Sequence, residues 1–243
     1  MISFLITALK VIFLLGFLIF IHESGHFIVA KLCKVKVNEF AIGFGPTIWK
    51  KQGIETKYAI RLIPLGGFVS MEGEEEASDA EGSFSKASIP KRMAIVFAGA
   101  TVNILFGIIV YFVLIASIAG LHDALTKTME LGSSMIDNLR IMLTKGIDAN
   151  QMMGIVGISD VVASTAGIKE FLYILSIVSI SLGVTNLLPI PALDGGKIVI
   201  LLIEAIRRKK LSEKTEMNIQ LLGFAFLITL SLYITYNDIL RIL

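Results

Sequence analysis

The chain has 243 residues, of which 55% are hydrophobic and 17% charged, with a mean hydropathy of +0.80. That balance excludes an ordinary water-soluble domain and reads as an integral membrane protein. A net charge of +2 carries no signature of nucleic-acid binding, and a single cysteine, Cys33, excludes an internal disulfide.

Four apolar runs approach the ~20 residues that cross a bilayer. They are residues 4–30, 93–119, 171–188 and 221–236. The first is too long for a signal peptide and has no small-residue cleavage site ahead of its histidines, so it reads as a span. Residues 13–21 hold no charge, yet the same run then carries His22-Glu23-Ser24-Gly25-His26. Ionisable groups at membrane depth are costly and mark function by default. On a helix His22 and His26 face the same way, so both imidazoles can ligate one ion, with Glu23 beside them to take a proton from water. The bland alternative is a pair of buried histidines satisfied by hydrogen bonds. Two of the chain's three histidines fall in this motif, with a glutamate between them, and that favours catalysis.

Lysine and arginine set the orientation. Residues 31–92 hold ten of them, and the last loop carries Arg207, Arg208, Lys209, Lys210 and Lys214. The loop at 120–169 has only Lys127, Arg140, Lys145 and Lys169. The first and third loops are therefore expected in the cytoplasm, with both termini outside. Within the first loop, β-prone runs at 37–42, 47–50 and 54–63 are separated by Gly43-Phe44-Gly45-Pro46 and Gln52-Gly53, which predicts hairpins. Pro64 and Gly66-Gly67 are expected to end the last run. These runs are apolar enough to dip into the membrane where protein or a cavity covers their backbone. The acidic run at 72–81 reads as a solvated turn.

In the second span Gly99, Asn103 and Gly107 recur every fourth residue, the mark of a packing seam that an amide can bond across. An amphipathic helix is expected over 123–145, and His122 before it reads as an interfacial residue. The third span then meets Pro189-Ile190-Pro191-Ala192-Leu193-Asp194-Gly195-Gly196. Two prolines forbid a continuous helix, so the span breaks near membrane depth and presents Asp194, with Asn186 one turn earlier. Zinc needs a third protein ligand and an open position, and Asp194 is the only carboxylate in that segment. At ~1.5 Å per residue His26 lies roughly 8 Å inside Lys31, a depth Asp194 can share. Glu204 and Asp238 have no motif around them and receive no role.

Together the His22–His26 motif, the Gly43-Phe44-Gly45-Pro46 turn, Pro64-Leu65-Gly66-Gly67-Phe68-Val69, the 99–103 segment and the run from Asn186 to Gly196 resemble the site-2 protease family of intramembrane zinc metalloproteases. The similarity is greatest to its bacterial branch, the regulator of sigma-E protease, and covers nearly the whole chain in order. The resemblance implies an α-helical membrane protein with four transmembrane helices, a reentrant β-hairpin region on the cytoplasmic side and a broken third helix. It implies one membrane-embedded metalloprotease domain over residues 1–243, in the bacterial inner membrane, cutting single-span proteins such as anti-sigma factors or remnant signal peptides. It further implies zinc on His22, His26 and Asp194, Glu23 as catalytic base, and substrate contacts at Asn186, Pro189, Pro191, Gly66 and Gly67. One departure stands out: the outer loop of about fifty residues is too short for the PDZ domain usual in that branch. The rival readings are a catalytically inactive zinc-binding scaffold or carrier, and a prenyl-protein protease, whose third ligand is typically a glutamate.

Overall fold

The computed structural model describes residues 2–74, 76, 78–146 and 152–242. Its elements run α1 (Ile2–Leu32), β1 (Val37–Gln52), β2 (Lys57–Met71), a 3-10 turn (Phe84–Lys86), α2 (Ile89–Ala119), α3 (Leu121–Lys145), α4 (Ile155–Ala163), α5 (Ile168–Asn186), α6 (Asp194–Arg207) and α7 (Glu213–Ile242). Four of these helices are long and apolar enough to cross a membrane: Ser3–Leu32, Ile89–Ala119, Ile168–Asn186 and Glu213–Ile242. They contain the expected spans 4–30, 93–119 and 221–236, while the third helix ends at Asn186, two residues short of the expected 171–188. Their outward apolar side chains, Phe4, Phe13, Ile109 and Phe224 among them, are exposed because lipid rather than protein is their solvent. The chain is a multi-pass membrane protein.

Residues 12–103 and 186–223 form one compact unit. Within it α1 stops where Lys34 turns left-handed (φ 62°) and the Val35 amide reaches back to the Ala30 carbonyl at 2.8 Å. The chain then enters β1. Its inner half pairs antiparallel with the end of β2, from Val37 opposite Met71 to Ile42 opposite Gly67, while its outer half pairs Thr47 with Arg61 and Gln52 with Lys57. The inner half is buried: Val37, Phe40 and Ala41 join Ala30, Val69, Met71, Phe84, Ile95, Ile198 and Leu201 in the hydrophobic interior. Phe40 meets Phe20 and Phe27 of α1 edge-on, with ring centroids 6.1 and 5.4 Å apart.

One expectation fails here. Pro64 and Gly66-Gly67 do not end the strand, because β2 bends through them and pairs again up to Met71. Gly66 makes the bend possible. Its φ of +133° is open to glycine, and an added Cβ would strike the Phe44 ring. The outer half of β1 leaves Phe44, Ile48 and Trp49 exposed, with Leu62 and Ile63 of β2 exposed as well.

Glu204, to which sequence assigned nothing, is a brace in the same unit. Its Oε2 lies 3.0 Å from Arg92 Nη1 and its Oε1 accepts from the Leu211 amide at 2.9 Å, with both charged side chains buried. Removing one partner of a buried pair strands the other, so Glu204→Ala is expected to cost about 3–5 kcal/mol, read as a lower thermal transition in detergent.

The second unit comprises residues up to Val11, 104–185 and 224–243. In it Gly107 lets α2 press on the α5 backbone at Ser176, where a Cβ would sit 2.6 Å from the carbonyl. Asp238, 1% exposed, accepts from the Gly154 and Gly157 amides at 2.9 Å each, so a carboxylate of α7 sits on the N-terminus of α4. At the other end of α4 the Lys10 ammonium donates to the Thr165 carbonyl and hydroxyl, both at 3.1 Å. Among the described residues of the outer loop, 120–167, there are helices and no strand.

Candidate metal centre

Three ligand atoms converge within the first unit. His22 Nε2 lies 3.2 Å and His26 Nε2 3.5 Å from Asp194 Oδ2, and the two imidazole nitrogens are 3.1 Å apart. Tetrahedral zinc with bonds of ~2.0–2.2 Å requires neighbouring donors about 3.3 Å from one another. The triangle already has that edge length. Asp194 Oδ2 is buried and accepts no protein hydrogen bond, as expected of an atom whose partner is a cation. Among the described residues this is the one group of three such side chains able to hold a metal.

Each ligand is aimed by its local structure. His22 and His26 are one turn apart on α1, with rings 4.8 Å apart and nearly perpendicular. His26 Nδ1 donates to the Ile95 carbonyl of α2 at 2.8 Å, which fixes its proton there and leaves Nε2 a free lone pair. His22 Nδ1 lies 3.3 Å from the Asn103 side-chain amide. Asn103 thus holds the His22 ring from α2 and helps aim it at the centre.

Asp194 arrives by a different route. α5 stops at Asn186, and the Ile190 amide bonds Leu188 at 2.7 Å while the Leu193 amide bonds Ile190 at 3.1 Å. Ala192 takes φ +72°, its amide held by Gln220 at 2.8 Å, and α6 begins at Asp194. A carboxylate at a helix's first residue gains from the positive end of the helix dipole. Gly195 and Gly196 let this turn fold tightly, since a Cβ would come 2.1 Å from the Leu188 carbonyl or 2.3 Å from that of Ile190.

Glycines also close the centre from behind. A Cβ on Gly25 would stand 2.6 Å from the Ala98 carbonyl, so α1 and α2 touch backbone to backbone. A Cβ on Gly99 would stand 2.3 Å from His26 Nε2 and 2.8 Å from His22 Cε1. Hence the seam read from sequence divides by role: Gly107 packs, whereas Gly99 and Asn103 face the histidines. Gly99→Val is expected to leave the chain folded and strip it of zinc, which elemental analysis of the purified protein would reveal.

Glu23 is half-buried beside the ligands and interacts electrostatically with His22, His26 and Asp194. Gly67 of β2 packs on it, with a notional Cβ 3.0 Å from Glu23 Cγ. Gly66 serves the bend against Phe44, Asn186 closes α5, Pro189 is exposed, and Pro191 turns its carbonyl to Gly223 of α7.

Four helices long and apolar enough to cross a bilayer and a group of two histidines and an aspartate able to hold a metal are features that a membrane zinc metalloprotease requires. The chain is a member of peptidase family M50, whose sequence profile matches residues 10–230. It is similar to proteins named "putative zinc metalloprotease" in Clostridium acetobutylicum (27% identical, covering 92% of this chain and 94% of that one) and Clostridium perfringens (30%, covering 92% and 95%). A third, in Fusobacterium nucleatum, is 28% identical over 97% of this chain and 99% of its own length. These alignments extend over 319 to 338 positions against 243 residues here, so the relatives carry inserted sequence that this chain lacks.

Proposed function

We propose that this chain is an intramembrane endopeptidase of the site-2 type, hydrolysing peptide bonds within or near the transmembrane segment of single-span membrane proteins. The observation that carries the reading is the convergence of Asp194 at zinc edge lengths on His22 and His26, which with Glu23 are borne by a helix apolar enough to span a bilayer. His22, His26 and Asp194 hold the metal. When bound, zinc supplies the Lewis acidity that polarises a scissile carbonyl and acidifies water to near neutral pH. The Glu23 carboxylate takes a proton from the attacking water and delivers it to the departing amide nitrogen.

A transmembrane helix hides its carbonyls in its own hydrogen bonds, so the substrate must be held extended. The bent strand β2 suits that task, since Gly67 lies against Glu23 and an extended segment laid along β2 would bring its carbonyl to the centre by strand addition. In this reading Gly66, Gly67, Asn186, Pro189 and Pro191 contact substrate. The exposed apolar tip around Phe44, Ile48 and Trp49 supports a reentrant loop dipping into the cytoplasmic half of the bilayer, with α5 and α6 as a span broken at Pro189 and Pro191. The single metalloprotease domain then sits in the bacterial inner membrane with both termini outside. Substrates of the anti-sigma-factor or remnant-signal-peptide kind fit this placement.

The test is cleavage of a panel of tagged one-span peptides by the chain in detergent, with and without chelator. Zinc-dependent cuts inside the apolar segment are expected. Zinc binding with no cut in any peptide would instead favour the inactive scaffold or carrier.

A further inference from the structure

We propose that Lys197 and Glu74 are a positioning pair, locking the end of β2 to the first turn of α6 and so setting where an extended substrate meets the metal centre. The inference rests on the protease reading above and adds to it two residues that no motif marks. Lys197 Nζ lies 2.5 Å from Glu74 Oε1, with side chains only 21% and 19% exposed. Glu74 stands in the acidic run that sequence reads as a solvated turn. In the structure this carboxylate is largely buried and ion-paired.

The placement of the pair gives it leverage. Lys197 is three residues beyond Asp194, and its amide closes the first turn of α6 on the Leu193 carbonyl at 3.2 Å. Glu74 follows the last residue of β2 by three, its amide bonded to the Met71 carbonyl at 3.3 Å. At the near end of the same strand segment Gly67 packs on Glu23. The contacts thus close a ring: Glu23, Gly67, the end of β2, Glu74, Lys197, Asp194, and back through His22 and His26.

Val69 and Met71 of β2 and Ile198 and Leu201 of α6 belong to one apolar cluster. Apolar contact is non-directional and tolerates sliding. A short, partly buried ion pair does not, and the Lys197 ammonium is itself held 5.1 Å from the centroid of the buried Phe84 ring. The pair therefore selects one register of the strand against the helix that carries Asp194.

Charge reversal tests this on the full chain, zinc-loaded in detergent. Glu74→Lys and Lys197→Glu each place like charges face to face, and each should lower kcat/KM on a one-span peptide by on the order of 10²-fold. Zinc content should stay at the parental value. The double variant, with the charges exchanged, should recover most of the loss. A fluorescent peptide hydroxamate gives a second readout without turnover: its affinity should fall in each single variant and return in the double. Parent-like single variants, a double variant as impaired as the singles, or single variants that lose zinc would each overturn the proposal. A parent chain that binds the hydroxamate yet cuts no peptide would sink the protease reading, and the hydroxamate series would still judge the pair.

Discussion

Glu23→Gln is expected to retain zinc and lose cleavage by roughly 10²–10⁴-fold, the range over which a positioned general base acts. The amide has the size and shape of the carboxylate and leaves all three ligand atoms, on His22, His26 and Asp194, in place. It carries no charge to receive a proton. Packing against Gly67 is preserved, so loss of fold is not the cause of the defect. Metal analysis beside a peptide-cleavage time course separates the two quantities. Parental turnover by the Gln variant would remove Glu23 from the chemistry and leave the centre as a binding site.

Deleting a ligand acts on the other quantity. His26→Ala or Asp194→Ala opens a triangle whose edges are 3.1, 3.2 and 3.5 Å, leaving two donors where a structural or catalytic zinc takes at least three. The fall in zinc affinity should exceed the ~10–100-fold that follows loss of an outer partner. Asn103→Leu provides the comparison inside that smaller range, because it removes only the amide facing His22 Nδ1. Competition with a chromogenic chelator ranks the variants. If Asp194→Ala held zinc as tightly as Asn103→Leu, Asp194 would not be a ligand.

The ligand set was legible because each part breaks a local rule. Two imidazoles and a carboxylate interrupt a helix that holds no charge over residues 11–21, and two prolines interrupt another just ahead of the only carboxylate nearby. Those are departures a single chain displays without help from its fold. The four spans were legible for the converse reason: uninterrupted hydropathy needs no tertiary context. What stayed hidden depends on partners far away in sequence. Pro64 and Gly66 look like a strand's end, and only the pairing of Gly67 to Met71 with Val37 to Ile42 turns them into a bend. Gly99 and Asn103 share the spacing of Gly107, yet two face histidines and one faces a helix backbone. Glu74, Glu204 and Asp238 carry no motif, since each partner, Lys197, Arg92 or the amides of Gly154 and Gly157, lies more than eighty residues off.

The short helix α4 resolves a problem of electroneutrality. Lys10 and Asp238 bring opposite full charges into apolar spans, and neither takes the other as its counterion. Between them the peptide units of α4 act as a polarised rod, negative end to the ammonium and positive end to the carboxylate. Asp238 also has Arg241 Nη1 3.9 Å from its other oxygen, so the helix end and a guanidinium share that carboxylate. Removing either side chain leaves its own end of α4 without a charged partner aligned to the helix dipole.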